Sequence, residues 1–222
     1  MSKHWVRQEV KKNEIADALE KSVGWFQSNR QQTLAGAGIA LVVVLLGGYF
    51  AYQKLVLDRA AWRSLSIGQS LAYQGKLDDA LSQLQTLSER FSGSPAWGFA
   101  TLMTGDIYYR QAQYAKGVET YRRIADRQAP KTLVPLAISD QALAEEAGSN
   151  CRDSIETSRR FLEQFKDHYL APQIHASMAR CLKAMGRNEE AKSALQQMTT
   201  LYPADQDPYW NQWAQAHLKS SS

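Results

Sequence analysis

Four histidines and two cysteines are the side chains of this chain best suited to catalysis or metal binding. None of the histidines stands in a zinc-protease motif or another metal-ligand spacing; they are His4, His168, His175 and His217. The sequence also lacks the glycine-rich loops that bind phosphates and the strand-to-helix turn that presents a nucleophilic serine. We therefore expect a protein that is not an enzyme, with no catalytic residue, no metal and no cofactor.

The two cysteines, Cys151 and Cys181, are not spaced for zinc, but they could meet in a helical fold. Antiparallel neighbouring helices bring the start of one close to the end of the next, where these residues are expected. A disulfide fits an even number of cysteines outside the cytoplasm. The alternative is that both cysteines are buried free thiols. A cytoplasmic location of the domain would require this alternative.

The composition is typical of a globular protein. Hydrophobic residues make up 44% and charged residues 22% of the 222 residues, and the net charge is +4. The chain after Gln53 is close to neutral and no long basic run occurs. This argues against nucleic acid as the main partner.

The elements that position these residues begin with an apolar segment, because residues 31–53 contain no charged side chain. About 20 apolar residues in a helix cross a hydrocarbon core of about 30 Å, so we predict a transmembrane helix over residues 33–53. A buried helix of a soluble domain would rarely be free of charge over this length. A cleavable signal peptide is disfavoured by four acidic residues in the preceding tail and by the bulky run Tyr49–Tyr52.

The tail of residues 1–32 carries six Lys or Arg residues, which favours a cytoplasmic tail and a repeat domain outside the cytoplasm. Apolar residues recur every three to four positions within residues 8–26, as Ile15, Leu19, Val23 and Phe26. This spacing predicts an amphipathic helix against the inner leaflet or a partner. A frayed extension of the membrane helix is the alternative.

Small residues also mark one face of the predicted span: Gly36, Ala40, Val43 and Gly47. Such a face lets another membrane helix approach closely, although glycine is common in membrane helices generally. Both interpretations stay open.

The region after the span is periodic. Small residues recur at intervals of 37, as Ala80, Gly117, Ser154 and Ala191, with another small residue twelve positions before each: Gly68, Gly105, Ala142 and Ala179. An apolar residue lies seven positions after each member of the first set, and a predicted helix break lies five positions before it. The apolar residues are Leu87, Ile124, Phe161 and Met198, and the breaks are Gly75, Ala112, Ser149 and Gly186.

Small residues twelve apart allow two antiparallel helices to touch across a short turn. The fold class predicted is all-α, with the transmembrane helix followed by a solenoid of about four helical hairpins and a C-terminal capping helix. The repeat domain spans 54–206, with repeats near 61–97, 98–134, 135–171 and 172–206. Residues 207–222, with Trp210 and Trp213, form the capping helix and tail that a terminal repeat needs.

The pattern resembles tetratricopeptide repeats, which place Gly or Ala at the eighth position and Ala at the twentieth, with large residues at the eleventh and twenty-fourth. The second repeat matches with Gly105, Tyr108, Gly117 and Tyr121. The third departs, with Glu145 and Ser158 at the two large positions. The period of 37 exceeds the usual 34, which implies slightly longer helices or connections.

The whole arrangement is similar to bacterial inner-membrane proteins of the tetratricopeptide class, among them the ancillary subunit of the Sec translocon. The resemblance implies a periplasmic interaction scaffold or chaperone-like adaptor whose partners are other proteins, such as translocon or envelope-complex subunits. Its concave side would be lined by the first helix of each hairpin: Trp62, Leu65, Tyr73, Phe99, Leu102, Tyr109, Arg110, Arg180 and Lys183. The alternative is a permanent structural subunit of an inner-membrane complex, held by its span and tail in the lipid bilayer.

Overall fold

The computed structural model describes residues 30–219, which form nine α-helices, one 3₁₀ helix and no strand. The 3₁₀ helix is Lys131–Leu133. The α-helices are α1 (Arg30–Tyr73), α2 (Leu77–Arg90), α3 (Ala96–Arg110), α4 (Tyr114–Arg127), α5 (Val134–Ala147), α6 (Cys151–Phe165), α7 (Ala171–Ala184), α8 (Asn188–Leu201) and α9 (Pro208–Lys219). The predicted all-α fold class is confirmed.

The chain divides into two compact units at Val56. In the first unit the described part is the N-terminal portion of α1, whose apolar side chains are exposed; Leu34 is 73% and Phe50 67% exposed. The stretch Leu34–Tyr73 is long and apolar enough to cross a membrane by length and composition. The amphipathic helix predicted within residues 8–26 lies outside the described residues.

The second unit, from Leu57 onward, consists of helical hairpins. The C-terminal part of α1 pairs with α2, and the pairs α3–α4, α5–α6 and α7–α8 follow. We call the first member of each pair a first helix and the other a second helix. Two of the first helices have a proline in their first turn: Pro135 in α5 and Pro172 in α7. Proline fits there since the first turn needs no backbone N–H donor.

Every first helix ends in the same backbone conformation. The four predicted breaks all have positive φ: 77° at Gly75, 56° at Ala112, 62° at Ser149 and 73° at Gly186. At the first of these, the N–H of Lys76 donates to the carbonyl oxygen of Leu71 at 3.0 Å and that of Gly75 to Ala72 at 3.1 Å. This pair of bonds caps the last carbonyls of a helix, and the other three turns repeat it.

The two helices of a hairpin cross where the small residues lie. A Cβ atom added to Gly68 would lie 2.8 Å from Cδ2 of Leu84, which is too close. One added to Gly105 would collide with the ring of Tyr121. Glycine at positions 68 and 105 thus leaves room for the side chains of the second helix, and alanine takes the same position in the later repeats, as Ala142 and Ala179.

The apolar core runs between the hairpins. The four residues predicted to fill this space are fully buried: Leu87, Ile124, Phe161 and Met198 are each 0% exposed. The third repeat is the exception at two other core positions, because Glu145 is 3% and Ser158 0% exposed. Its core therefore contains polar side chains where large apolar ones stand elsewhere.

Helix α9 covers the last hairpin, as expected of a capping helix. Trp210 and Trp213 pack against the core cluster shared by α7 and α8. The amide Nδ2 of Asn211 donates to the carbonyl oxygens of Thr199 at 3.2 Å and Tyr202 at 2.8 Å. These bonds tie α9 to the C-terminal end of α8.

Candidate protein-binding surface

The exposed side chains of the first helices are considered together here as one candidate surface, which we call the first-helix face. It comprises residues of α1 from Leu57 onward and of α3, α5 and α7. At one end Trp62 and Phe99, one 37-residue period apart, are 44% and 39% exposed. Their ring centroids lie 5.4 Å apart. Two aromatic side chains thus make one exposed apolar patch.

The predicted binding residues divide by exposure. Those exposed are Trp62, Tyr73, Phe99, Tyr109, Arg110, Arg180 and Lys183. Leu65 was wrongly placed on the binding face, because it is 3% exposed and belongs to the core between α1 and α2. Leu102, one period later, is half-buried against the cluster around Trp97 and Ile124. The side chain at the fifth position of these two repeats therefore points into the core rather than outward.

Two carboxylates lie near the middle of the first-helix face. The hydroxyl of Tyr121 donates to Oδ1 of Asp106 at 2.8 Å. Burial raises the pKa of Asp106, and the bond from Tyr121 and the nearby Arg110 charge oppose this rise. Burial and the neighbouring Asp106 raise the pKa of Asp140 to about 7. The negative charge of this part of the surface therefore depends on pH.

Tyr109 lies at the border of this acidic region. Its ring meets that of Tyr114 edge-on with centroids 5.3 Å apart. Burial raises the pKa of Tyr109, with smaller contributions from Tyr114 and Glu146. The tyrosine therefore keeps its hydroxyl proton and can donate a hydrogen bond to a partner.

One basic residue of the predicted binding face, Arg180, is paired with a carboxylate. Nη2 of Arg180 donates to Oε2 of Glu146 at 2.8 Å, and the hydroxyl of Ser177 donates to the same oxygen at 2.6 Å. The guanidinium of Arg180 also lies 5.7 Å from the ring centroid of Trp213. Arg180 thus holds α5, α7 and α9 together and is not an unpaired cation.

Asp106, Asp140 and Glu146 were missed from sequence, although the repeat carried a signal. Asp106 occupies the same repeat position as Arg180, and Glu146 the same position as Tyr109 and Lys183. Shifting the chosen positions by 37 into the third repeat would have found Glu146.

Cys151 and Cys181 are brought together by the start of α6 and the end of α7. The structure joins them by a disulfide, with Cα atoms 4.9 Å apart. This distance lies in the usual range for a disulfide. Within residues 30–219, no group of three or more His, Cys, Asp or Glu side chains could hold a metal ion.

The small residues of the predicted span all lie in the first unit. Ala40 is exposed and Val43 is 62% exposed. A Cβ added to Gly36 or Gly47 would meet nothing within 4 Å. That face of α1 is accessible within the described part of the unit.

Comparison with known proteins decides the nature of the hairpins. Family models described as tetratricopeptide repeat match residues 65–131 and residues 177–205. The chain carries tetratricopeptide repeats. The matched ranges cover most of the first two repeats and of the fourth, and they omit the whole of the third, whose large positions hold Glu145 and Ser158.

Solved structures share the tetratricopeptide-repeat fold. Two crystal structures show the nearly identical TPR-like repeats assigned to a Podosopora anserina kinesin light chain, one of them in a form with a single substitution. The substituted form has a TM-score of 0.59 and 15% identity, and the match covers 74% of this chain and 85% of that one. The other has a TM-score of 0.58 and 16% identity, and its match covers 74% and 86%. No curated protein matches the chain in sequence.

Proposed function

We propose that this chain is a membrane-anchored scaffold whose first-helix face binds an extended segment of another protein. Tetratricopeptide repeats imply a scaffold for protein–protein interaction. The observation that supports the binding face is the exposed pair Trp62–Phe99. Large aromatic side chains supply much of the binding energy at protein interfaces. We assign the chain no catalytic role.

The anchor in this proposal is the apolar part of α1, with the tail of residues 1–32 in the cytoplasm and the repeats in the periplasm. The exposed apolar side chains of Leu34–Tyr52 and the basic residues of the tail support it. The juxtaposition of Cys151 and Cys181 supports an oxidising compartment. A scaffold in this position would act as a chaperone-like adaptor of the translocation or envelope-assembly machinery.

A second candidate function is a permanent structural subunit of an inner-membrane complex. The open space around Gly36 and Gly47 favours it, because a second helix could approach the backbone there. In that case the affinity would reside in the span and not in the repeats.

Photo-crosslinking in living cells tests the proposal. A benzophenone amino acid replaces Phe99 on the first-helix face, Val43 in the span, or the exposed Glu119 on second helix α4. We expect a partner adduct from position 99 that Trp62→Ala abolishes, and none from position 119. An adduct from position 43 alone would favour the structural subunit. Equal adducts from positions 99 and 119 would refute a specific first-helix face.

A further inference from the structure

Three cavities occupy the same place in consecutive repeats. Each is lined by the second helix of one hairpin and by both helices of the next. The eleventh repeat position lines all three, and it is Tyr108, Glu145 and Leu182 in turn. The cavities measure about 370, 210 and 400 Å³ in that order. Only the cavity lined by α4, α5 and α6 has a carboxyl group at this position, and we call it the Glu145 cavity.

Glu145 is bonded through one of its two oxygens. Nε2 of Gln141 donates to Oε1 at 2.8 Å, and Nη2 of Arg122 lies 3.9 Å from the same oxygen. The side chain of Glu145 is 2% exposed. No donor among residues 30–219 forms a hydrogen bond with Oε2. Burial raises the pKa of this carboxyl, and the polar side chains of Gln141 and Thr157 together with the charge of Arg122 oppose the rise only in part.

Arg160 brings the complementary group to the same cavity. Its Nη2 donates to Oε1 of Gln141 at 3.1 Å, so the guanidinium is held in place. Its Nε–H is buried and has no acceptor within the part of the chain that the structure describes. The cavity therefore offers one acceptor and one donor, and leaving both unpaired costs free energy.

We propose that the Glu145 cavity binds a primary carboxamide, which in a partner protein is the side chain of Gln or Asn. The amide NH₂ would donate to Oε2 of Glu145, and the amide oxygen would accept from Nε of Arg160. The site lies between α4, α5 and α6, away from the first-helix face, so it is additional to the proposed function.

Charge and size both agree with a neutral side chain. The lining has three carboxyl groups, of Glu145, Asp153 and Glu156, and two guanidinium groups, of Arg122 and Arg160. An anion would meet the three carboxyl groups and a cation the two guanidinium groups, whereas a neutral amide can pair with groups of both signs. The volume of about 210 Å³ is several times the roughly 30 Å³ that one water molecule occupies in the liquid. The exposed rim residues Arg122 and Glu156 leave the cavity accessible.

The test uses the full chain in detergent micelles and three blocked tripeptides, Ac-Gly-Gln-Gly-NHMe and its Glu and Lys counterparts. Ligand-observed NMR titration gives their affinities. We expect the Gln peptide to bind about tenfold more tightly than the other two. Equal binding of all three peptides, or none at all, would mean that the cavity holds water only and would overturn the proposal.

Two variants connect binding to Glu145. Glu145→Leu copies the residue at the equivalent position 182, so the chain should stay folded by circular dichroism and lose about tenfold in affinity for the Gln peptide. Glu145→Gln keeps the volume and, with its amide oxygen held by Nε2 of Gln141, places an NH₂ donor where Oε2 accepted. It should lose as much affinity, which decides the matter if the Leu variant unfolds. Ser193→Ala, in the fourth-repeat cavity, should bind like the wild type. Undiminished binding by both Glu145 variants would refute the site, whatever the crosslinks from position 99 show.

Discussion

The hydroxyl of Ser154 donates to the backbone carbonyl oxygen of Ala142 at 2.9 Å, across the crossing of α6 and α5. One repeat earlier, a Cβ added to Gly117 would lie 3.6 Å from the carbonyl oxygen of Gly105. The same crossing therefore has room for a hydrogen, a methyl group or a serine hydroxyl. It has no room for a larger side chain.

Ala80→Leu and Ala191→Leu should each destabilise the protein by about 1–3 kcal/mol, because the added atoms have no space at this crossing. Ala80 is 0% and Ala191 2% exposed. Urea unfolding of the full chain in detergent micelles, followed by circular dichroism, measures the change.

The matched controls for overpacking are Ser82→Leu and Gln196→Leu, on exposed positions of the same two helices. They should stay within about 0.5 kcal/mol of the wild type. Gln83, also in α2, does not serve as a control, because its Nε2 donates to Oγ of Ser64 at 2.7 Å and a substitution would remove this bond. If Ala80→Leu and Ala191→Leu unfold at the same urea concentration as the control variants, the close crossing is refuted.

Ala112→Gly should stabilise the protein by about 0.5–1 kcal/mol, because Ala112 has a φ of 56°, which is strained for any residue with a Cβ. Urea midpoints measure it. Ala216→Gly, at an exposed interior position of α9, should instead destabilise by about 1 kcal/mol. A loss of stability at both positions would contradict the left-handed turn.

Stability should depend on pH through Asp140, whose pKa is raised to about 7 from its ordinary 3.8. A carboxyl with a raised pKa holds its proton more tightly in the folded state. The protonated carboxyl therefore adds to the free energy of unfolding. This contribution is complete below about pH 4 and is lost as the pH rises to about 7. Between these values the wild type should lose on the order of 1–3 kcal/mol relative to Asp140→Asn. Urea unfolding across this range tests it, with the exposed Asp126→Asn as control; parallel curves for wild type and Asp140→Asn would refute the shift.

Reduction of the Cys151–Cys181 bond, which joins residues 30 apart, should destabilise the protein by roughly 2–4 kcal/mol. Unfolding with and without a reductant measures this, since the reductant changes nothing else in the chain. The double variant Cys151→Ala/Cys181→Ala should not respond to the reductant. Ready alkylation of both thiols in the oxidised, folded protein would show that the bond is not formed.

A reporter enzyme that is active only outside the cytoplasm should be active when fused after Ser222. The basic tail of residues 1–32 is the reason, since Lys and Arg are retained on the cytoplasmic side. The control places the reporter after residue 30. Activity at that position alone would reverse the orientation.

Much of the repeat fold could be predicted because the close crossings of its helices require small side chains. Two helices approach closely only where both carry small residues, so Gly68 with Ala80 and Gly105 with Gly117 mark the crossings in the sequence itself. The ends of the first helices were equally visible, because Gly75 and Gly186 suit a left-handed conformation.

The outward direction of individual side chains could not be predicted in the same way. Leu65 and Trp62 are one helical turn apart, yet the smaller apolar residue is buried and the larger one is exposed. Leu65 packs in the core with side chains of α2 and α3, and the local sequence of α1 does not encode these contacts. The pairing of Arg180 with Glu146 likewise depends on how α5 and α7 lie side by side.

Helix α9 has a consequence for association between copies of the chain. A solenoid of identical hairpins offers, at its last second helix, the surface on which one more hairpin would stack. Trp210 and Trp213 cover the apolar cluster of α7 and α8 at this place, and Asn211 binds the carbonyl oxygens at the end of α8. Helix α9 therefore occupies the surface through which a second copy of the chain could otherwise stack head to tail on this hairpin.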